Sequence, residues 1–322
     1  MSTSDDVPAD RTAEMVEVFD KSNNSKQGQG KPKKPPLTHF LCLPLVTPQS
    51  RPELDRNLQD FRNVVVFDKS ASSTQDTQGA VPILPAKAVR PVGAIHLTLG
   101  VMSLSTTQLE QAKSDLTSLN LSKLLSSATS NPADPPTTSS PPLATLQRPV
   151  SPPPTSPTPI PPPLKVSLTS LHSMQSPRHT SILYASPHDP TSRLLPFALS
   201  IRSSFTEKGH LVPDSRPLKL HATIVNTIYV RGRDRTDYHS RQDEDNGEMG
   251  SGKGKGRRKK RSAPLKFDAK ALIERYEGVE WAKDILLDRV AICEMGAKEV
   301  RDEQGRVVDA VYTEVASVAI PS

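Results

Sequence analysis

Fourteen of the chain's 32 prolines fall between Asn131 and Pro163. Proline fixes its own φ and has no amide hydrogen, so such a stretch forms neither a helix interior nor a central strand. The 322 residues therefore cannot form one evenly packed globule. They can form a smaller folded domain interrupted by polar insertions, since a 34% hydrophobic content still supplies one core. Charge is equally local. Lys253-Gly-Lys-Gly-Arg-Arg-Lys-Lys-Arg261 carries seven basic residues and no acid, and removing them from the net +6 leaves the rest one charge below neutral. A basic surface spread over the whole fold is not implied.

These shifts set the expected organisation. Residues 1–36 read as a disordered tail, and 37–320 as one domain of about 220 ordered residues. A proline-rich disordered insertion at 130–163 and a basic disordered loop at 231–264 interrupt it. No basic n-region leads into an apolar stretch, and no run reaches the roughly 18 apolar residues of a membrane span, so an intracellular soluble chain is expected. Cys42 and Cys293 sit in apolar strand-like runs and read as buried free thiols.

Within the domain, Thr38–Leu45 reads as a strand. Leu54, Leu58 and Phe61 share a helical face, Val64–Phe67 fits helix end or strand, and Ser70–Gly79 is a polar loop. Thr107-Gln-Leu-Glu110 has the capping-box pattern and opens a helix ending near Leu125. Strands are expected at Leu164–Leu168 and Ser181–Ala185. A helix starts at Asp189–Ser192 with an irregular turn at Pro196, carries Leu194 to Phe205, and stops at Gly209. Asp268 caps a helix through Leu272, Ile273 and Tyr276, after which Trp281 is a packing residue. Two last strands, Ile285–Met295 and Val307–Ile320, flank a turn at Asp302–Gly305.

Two segments carry the chemistry. In Ala94–Met102, Ile95, Leu97, Leu99 and Val101 alternate against His96 and Thr98; in Leu218–Val225, Leu218, Leu220, Ala222 and Ile224 alternate against Lys219, His221 and Thr223. Each His-x-Thr thus points an imidazole and a hydroxyl to one side. Two such strands side by side would surround a small space in which hydroxyls hold phosphate oxygens. One imidazole would then deprotonate an attacking oxygen while the other protonates the leaving one. No metal or cofactor is called for. A third match, His179-Thr-Ser181, lies just after Pro177 and reads as loop; His39, His172, His188, His210 and His239 show no partner pattern. On the residues alone, two half-buried strand histidines bonded to neighbours give the same pattern.

The longer context is more specific. Ala94-Ile-His-Leu-Thr-Leu-Gly-Val-Met-Ser-Leu104 and Pro217-Leu-Lys-Leu-His-Ala-Thr-Ile-Val-Asn-Thr227 resemble the two signature strands of the 2H phosphoesterase superfamily, which includes LigT-like RNA phosphodiesterases. Thr38–Leu45, Ile182–Ala185 and Phe267–Ile273 are similar to the branch shared by the nuclear A-kinase anchoring phosphoesterase domain and the first subunit of the activating signal cointegrator complex. The resemblance implies an α+β, bilobal fold: two βαβ-like halves around a central groove, with disordered insertions. It puts catalytic roles on His96 and His221 and phosphate contacts on Thr98 and Thr223, with Lys219 adding positive charge. It implies 2′,5′-linked or 2′,3′-cyclic phosphodiester substrates at RNA or nucleotide ends. A nuclear coactivator or DNA-repair complex is the implied setting. It is not extended to an RNA-binding KH module or to kinase anchoring, for which no Gly-x-x-Gly unit or long amphipathic helix is found.

Three readings compete. The leading one is a phosphodiesterase. The second is a non-catalytic nucleic-acid-binding subunit or scaffold of a nuclear complex. The third is a disordered proline-rich adaptor, whose Pro149-Val-Ser-Pro152 and Pro154-Thr-Ser-Pro157 spacings suit SH3-type grooves but arise readily in any proline-dense segment. Lys253–Arg261 reads as a nuclear localisation signal or a phosphate-binding arm, with a solvated loop as the plain alternative.

Overall fold

The computed structural model describes residues 35–66, 84–128, 162–230 and 264–321. The readings of the tail, the Ser70–Gly79 loop, the proline-rich insertion, the basic loop and His239 lie outside these residues, apart from a few at the margins. No helix among the described residues is long and apolar enough to cross a membrane.

Among the described residues, ten strands and five helices build an α+β fold. In chain order they are β1 (His39–Pro44), α1 (Arg51–Val65), β2 (His96–Met102), α2 (Thr106–Thr117), α3 (Leu121–Ser127), β3 (Lys165–Ser173), β4 (Ile182–His188), α4 (Leu194–Glu207), β5 (Ala222–Asn226), α5 (Lys270–Arg275), β6 (Glu280–Leu286), β7 (Arg289–Glu294), β8 (Lys298–Arg301), β9 (Val307–Val311) and β10 (Glu314–Ala319). Eight strands form one antiparallel sheet in the order β10-β7-β1-β2-β5-β4-β3-β6, and β8 pairs with β9 as a separate hairpin. The two expected halves are visible within it. β1-α1-β2 and β4-α4-β5 are each a strand, a helix and an antiparallel partner, and they meet where β2 touches β5.

The sheet is curled almost into a barrel. β6 is one edge and β7 lies beside the other, yet only Leu287 and Asp288 separate them. Three residue steps reach about 11 Å at full extension, so the two ends of the sheet must come close. Helix α1 packs against β6 on the core side of the sheet. Its apolar stripe buries Leu54, Leu58, Phe61 and Val65, and Phe61 meets Trp281 of β6 edge-on at 5.4 Å. Trp281 is fully buried and its indole N–H donates to the Ser170 carbonyl at 2.7 Å, so it packs as expected but from within a strand. Full burial of aromatic side chains of this kind contributes about 1.5–3 kcal/mol each.

Several local expectations are corrected. The capping box is Ser105 with Gln108, two residues ahead of Thr107–Glu110. Ser105 Oγ accepts from the Gln108 amide, and the Gln108 side chain accepts from the Ser105 amide. Both windows fit the pattern, and the end of β2 at Met102 decides between them. The helix expected to run to Leu125 stops at Ser118, and Asn120 caps a second helix, α3. Val64 and Val65 finish α1, settling the Val64–Phe67 ambiguity toward helix end. Pro196 causes no break, because it lies in the first turn of α4, where amide hydrogens have no intrahelical acceptor. The N-cap position is Arg193, but Asp189 four residues ahead accepts from the first helical amide, Leu194, at 2.7 Å, and Gly209 takes the positive φ (74°) that ends the helix. Instead of two last strands there are five. Asp288 and its neighbour turn the chain from β6 to β7, and the Asp302–Gly305 turn joins β8 to β9.

Candidate active site at the join of the two halves

Strands β2 and β5 of the two halves pair at one position, Leu97 with Ala222, and the segment before β2 adds a bridge from Val89 to Val225. Leu97 and Ala222 are the middle residues of the two His-x-Thr motifs, and both are fully buried. Each motif therefore turns its apolar middle residue into the core and its histidine and threonine to the opposite, concave face. Continuing the antiparallel register by one residue sets His96 across from Thr223 and Thr98 across from His221.

The resemblance between the halves goes deeper than the motif. The β1–β2 register slips between Thr98 and Gly100, and the β4–β5 register slips between Thr223 and Val225. Each motif strand thus carries one extra residue, Leu99 or Ile224, immediately after its threonine: a β-bulge at the equivalent position. The bulge reverses alternation beyond it. Val101, expected on the core side, faces the site, while Met102 is fully buried in the core. Asn226, five residues after His221 as Val101 is five after His96, also faces the site.

The strand expected over Leu218–Val225 begins only at Ala222. Leu218 and Leu220 pack against the core, but the backbone of 218–221 lies outside the ladder, because β2 reaches β5 only at Ala222. His221 is thus held by its own contacts. Its Nδ1–H donates to the Lys219 carbonyl at 2.7 Å, and its ring meets Tyr184 at 5.5 Å. His96 is held the same way, Nδ1–H donating to the Ala94 carbonyl at 2.9 Å. In both motifs the acceptor is two residues upstream, and the bond fixes the tautomer whose Nε2 carries no proton and accepts hydrogen bonds. The Thr98 hydroxyl donates to His96 Nε2 at 3.0 Å.

A cavity of about 170 Å³ opens on this face, lined among others by Arg90, His96, Thr98, Thr223, Asn226 and Tyr312. Of the expected site residues, His96, Thr98 and Thr223 line it. His221 stands beside it, near enough for its charge to depress the His96 pKa. Lys219 is exposed and lies outside the lining, with Nζ 4.6 Å over the Tyr184 ring. Burial pushes the His96 imidazole down to about 4, with a smaller contribution from Arg90. Burial, then the Lys219 ammonium, also lowers His221, against the opposing effect of its backbone bond. Both imidazoles are neutral at pH 7.

Arg90 and Tyr312 escape a sequence reading. Arg90 is buried, its amide donates to the carbonyl of the bulge residue Ile224, and its Nη2 donates to Tyr312 Oη at 2.9 Å. Arg62 braces it by donating to the Arg90 carbonyl at 2.9 Å. Tyr312 meets His96 edge-on at 5.2 Å and Phe40 at 4.8 Å. It follows β9, whose Asp309 takes an ion pair from Arg51 and accepts from the Gly93 amide at 3.0 Å, docking the β8–β9 hairpin on the turn before His96. No motif marks either residue. The one local hint is the proximity of Arg90 to the first motif. The floor under Phe40 holds Cys42 and Cys293, buried free thiols as expected, with sulfurs 3.8 Å apart. The Cys42 thiol is pushed up by its contact with Cys293 and by burial. His179 sits in a single 3-10 turn (Pro177–His179), away from any strand, as expected.

Comparison with known proteins places the chain. A family model described as the AKAP7 2'5' RNA ligase-like domain matches residues 37–304. An uncharacterized protein of Schizosaccharomyces pombe is 27% identical over 146 residues, which is 45% of this chain and 52% of the relative. The match thus spans about half the length of that curated relative. Among solved structures, E. coli LigT complexed with 3′-AMP is 14% identical, with 89% of this chain and 99% of that one covered and a TM-score of 0.39. A protein of Thermus thermophilus is 12% identical over 88% and 97%, with a TM-score of 0.37.

Proposed function

Since this chain belongs to the 2H phosphoesterase superfamily, through the AKAP7 2'5' RNA ligase-like domain family, we propose that it cleaves phosphodiesters at RNA or nucleotide ends, 2′,5′-linked or 2′,3′-cyclic, by two-histidine acid/base chemistry. The observation that carries the reading is the Leu97–Ala222 pair, which sets both His-x-Thr motifs face to face on one concave surface. A phosphate seated there would accept from the Thr98 and Thr223 hydroxyls, with the Arg90 guanidinium at the cavity wall to offset its charge. One Nε2 takes the proton of the attacking oxygen. The other, protonated, gives its proton to the leaving oxygen. In the free protein both imidazoles are neutral at pH 7, so the acid gains its proton as the anionic substrate enters and stabilises the imidazolium.

One observation favours a second reading. The Thr98 hydroxyl already engages His96 Nε2, so the groove would serve equally as a binding surface for a nucleic-acid end within a larger nuclear assembly. One experiment decides. The full chain and its His96→Ala/His221→Ala variant are assayed for binding and turnover of a 2′,5′-linked dinucleotide and a 2′,3′-cyclic nucleotide. Turnover lost in the variant supports the phosphodiesterase; binding without turnover in the wild type supports the binding protein. Neither binding nor turnover overturns both.

A further inference from the structure

The groove is not symmetric about its join. On the β2 side the rings of Phe40, His96 and Tyr312, with Met295, wall in the cavity. On the β5 side the same face continues, among the described residues, across β4 and β3. There His172 pairs with Tyr184, Thr169 with Ser186 and Ser167 with His188. Leu168, Leu183 and Ala185 on the opposite face are buried in the core, so these paired residues share the groove face. The rings run on from the site without a gap. Tyr184 lies 5.5 Å from His221 and 5.6 Å from His172, with the Lys219 ammonium 4.6 Å above it. His172, His188 and Lys219 are exposed. The carboxylate paired into this region, Glu280 opposite Thr169, belongs to the edge strand β6.

We propose that this β3–β4 face is the track for the single strand of RNA that continues away from the scissile linkage. The end nucleoside sits in the aromatic cavity, and the protein acts on the ends of longer strands in preference to dinucleotides. The inference rests on the phosphodiester reading above. Single strands are held by ring faces that accept any base, by cations and by hydroxyl donors to phosphate. Tyr184 is itself buried beneath its neighbours, and what the face presents is the exposed imidazoles of His172 and His188, the Lys219 ammonium, and the hydroxyls of Ser167, Thr169 and Ser186. From Tyr184 to His188 it runs about 13 Å, beyond the reach of one reacting phosphate. A peptide strand is not accommodated by backbone pairing, because both edges of β3 and of β4 are already paired within the sheet.

The test compares the full chain with its His172→Ala/His188→Ala variant on a cleavable dinucleotide and on two oligonucleotides of about six residues, extended on opposite sides of the linkage. In the wild type, one extended substrate has a KM about tenfold below the dinucleotide's, and the other shows no gain. In the variant the dinucleotide is turned over as before and the tenfold gain is lost. The gain also shrinks steeply with added salt. Dinucleotide turnover with no gain from either extension, or an equal gain from both, overturns the track and leaves the phosphodiesterase standing. Failure to bind or turn over any of the three overturns both.

Discussion

Leu97 pairs with Ala222 across the join between β2 and β5, and both side chains are fully buried. One residue to either side, the same register sets each histidine opposite the other motif's threonine. The arrangement of the groove thus depends on two apolar residues that never face it. They hold together segments whose histidines are 125 positions apart.

Removing either imidazole separates catalysis from folding. His96→Ala and His221→Ala should each lower kcat by about 10²- to 10⁴-fold, with little change in urea midpoint for His221, which lies outside the ladder. Steady-state kinetics on the dinucleotide checks this. A loss of less than tenfold in both would remove acid/base work from the pair.

The hydroxyls are tested by isosteres. Thr98→Val and Thr223→Val keep the strand shape and delete one donor each, so each should cost about 10²-fold in kcat/KM. Thr98→Val also removes the hydroxyl that donates to His96 Nε2, so it should shift the acid limb of the pH profile whereas Thr223→Val should not.

Both histidine pKa values lie below 6.5, His96 near 4, so at neutral pH the free site holds two bases and no acid. The productive form has one proton, and its population peaks between the two pKa values. kcat/KM should therefore rise as pH falls from 7, with its maximum on the acid side; a maximum above pH 7 would count against the assignment. Stability runs the other way. The unfolded chain binds the His96 proton more readily, so this stability is fully present above about 6.5 and is lost as pH falls toward 4. His96→Gln should flatten that part of a stability-versus-pH curve measured by denaturant unfolding.

Gly93 is where the hairpin docks. A Cβ there would lie 2.5 Å from Val311 Cγ1, 2.8 Å from Asp309 Oδ2 and 2.9 Å from the Ala310 carbonyl oxygen. Backbone cannot yield as a side-chain tip can, so Gly93→Ala should destabilise the fold by about 1–3 kcal/mol. It should also lift Tyr312 from His96, raising KM for a nucleotide more than it lowers kcat. Unchanged KM would show that the hairpin does not shape the cavity.

Much of this site is legible in a single strand of text. Alternation of His96 and Thr98 against Leu97 records which side each faces, because period two is a property of neighbouring residues. The failures are as instructive. Val101 reads as a core residue, but the bulge at Leu99 carries no local signature: it exists only because β1 supplies one residue fewer than β2 across the gap. The same holds for Ile224. Val290–Met295 looks continuous with Ile285 until the turn at Asp288 passes the chain from one end of the strand order toward the other, across the closing gap of the curled sheet.

By itself, the sequence determined the strand and helix propensities, the side on which each imidazole and hydroxyl lies, and the family to which the two motifs belong. These rest on interactions between residues one to four apart, which any chain displays in its order of side chains. Only the tertiary structure decided that Leu97 meets Ala222, that both motifs bulge at the same place, and that Arg90 and Tyr312 wall the cavity with His96. Those contacts join segments tens to hundreds of positions apart. They are selected by burying both apolar faces of the curled sheet at once, a condition no local pattern can express.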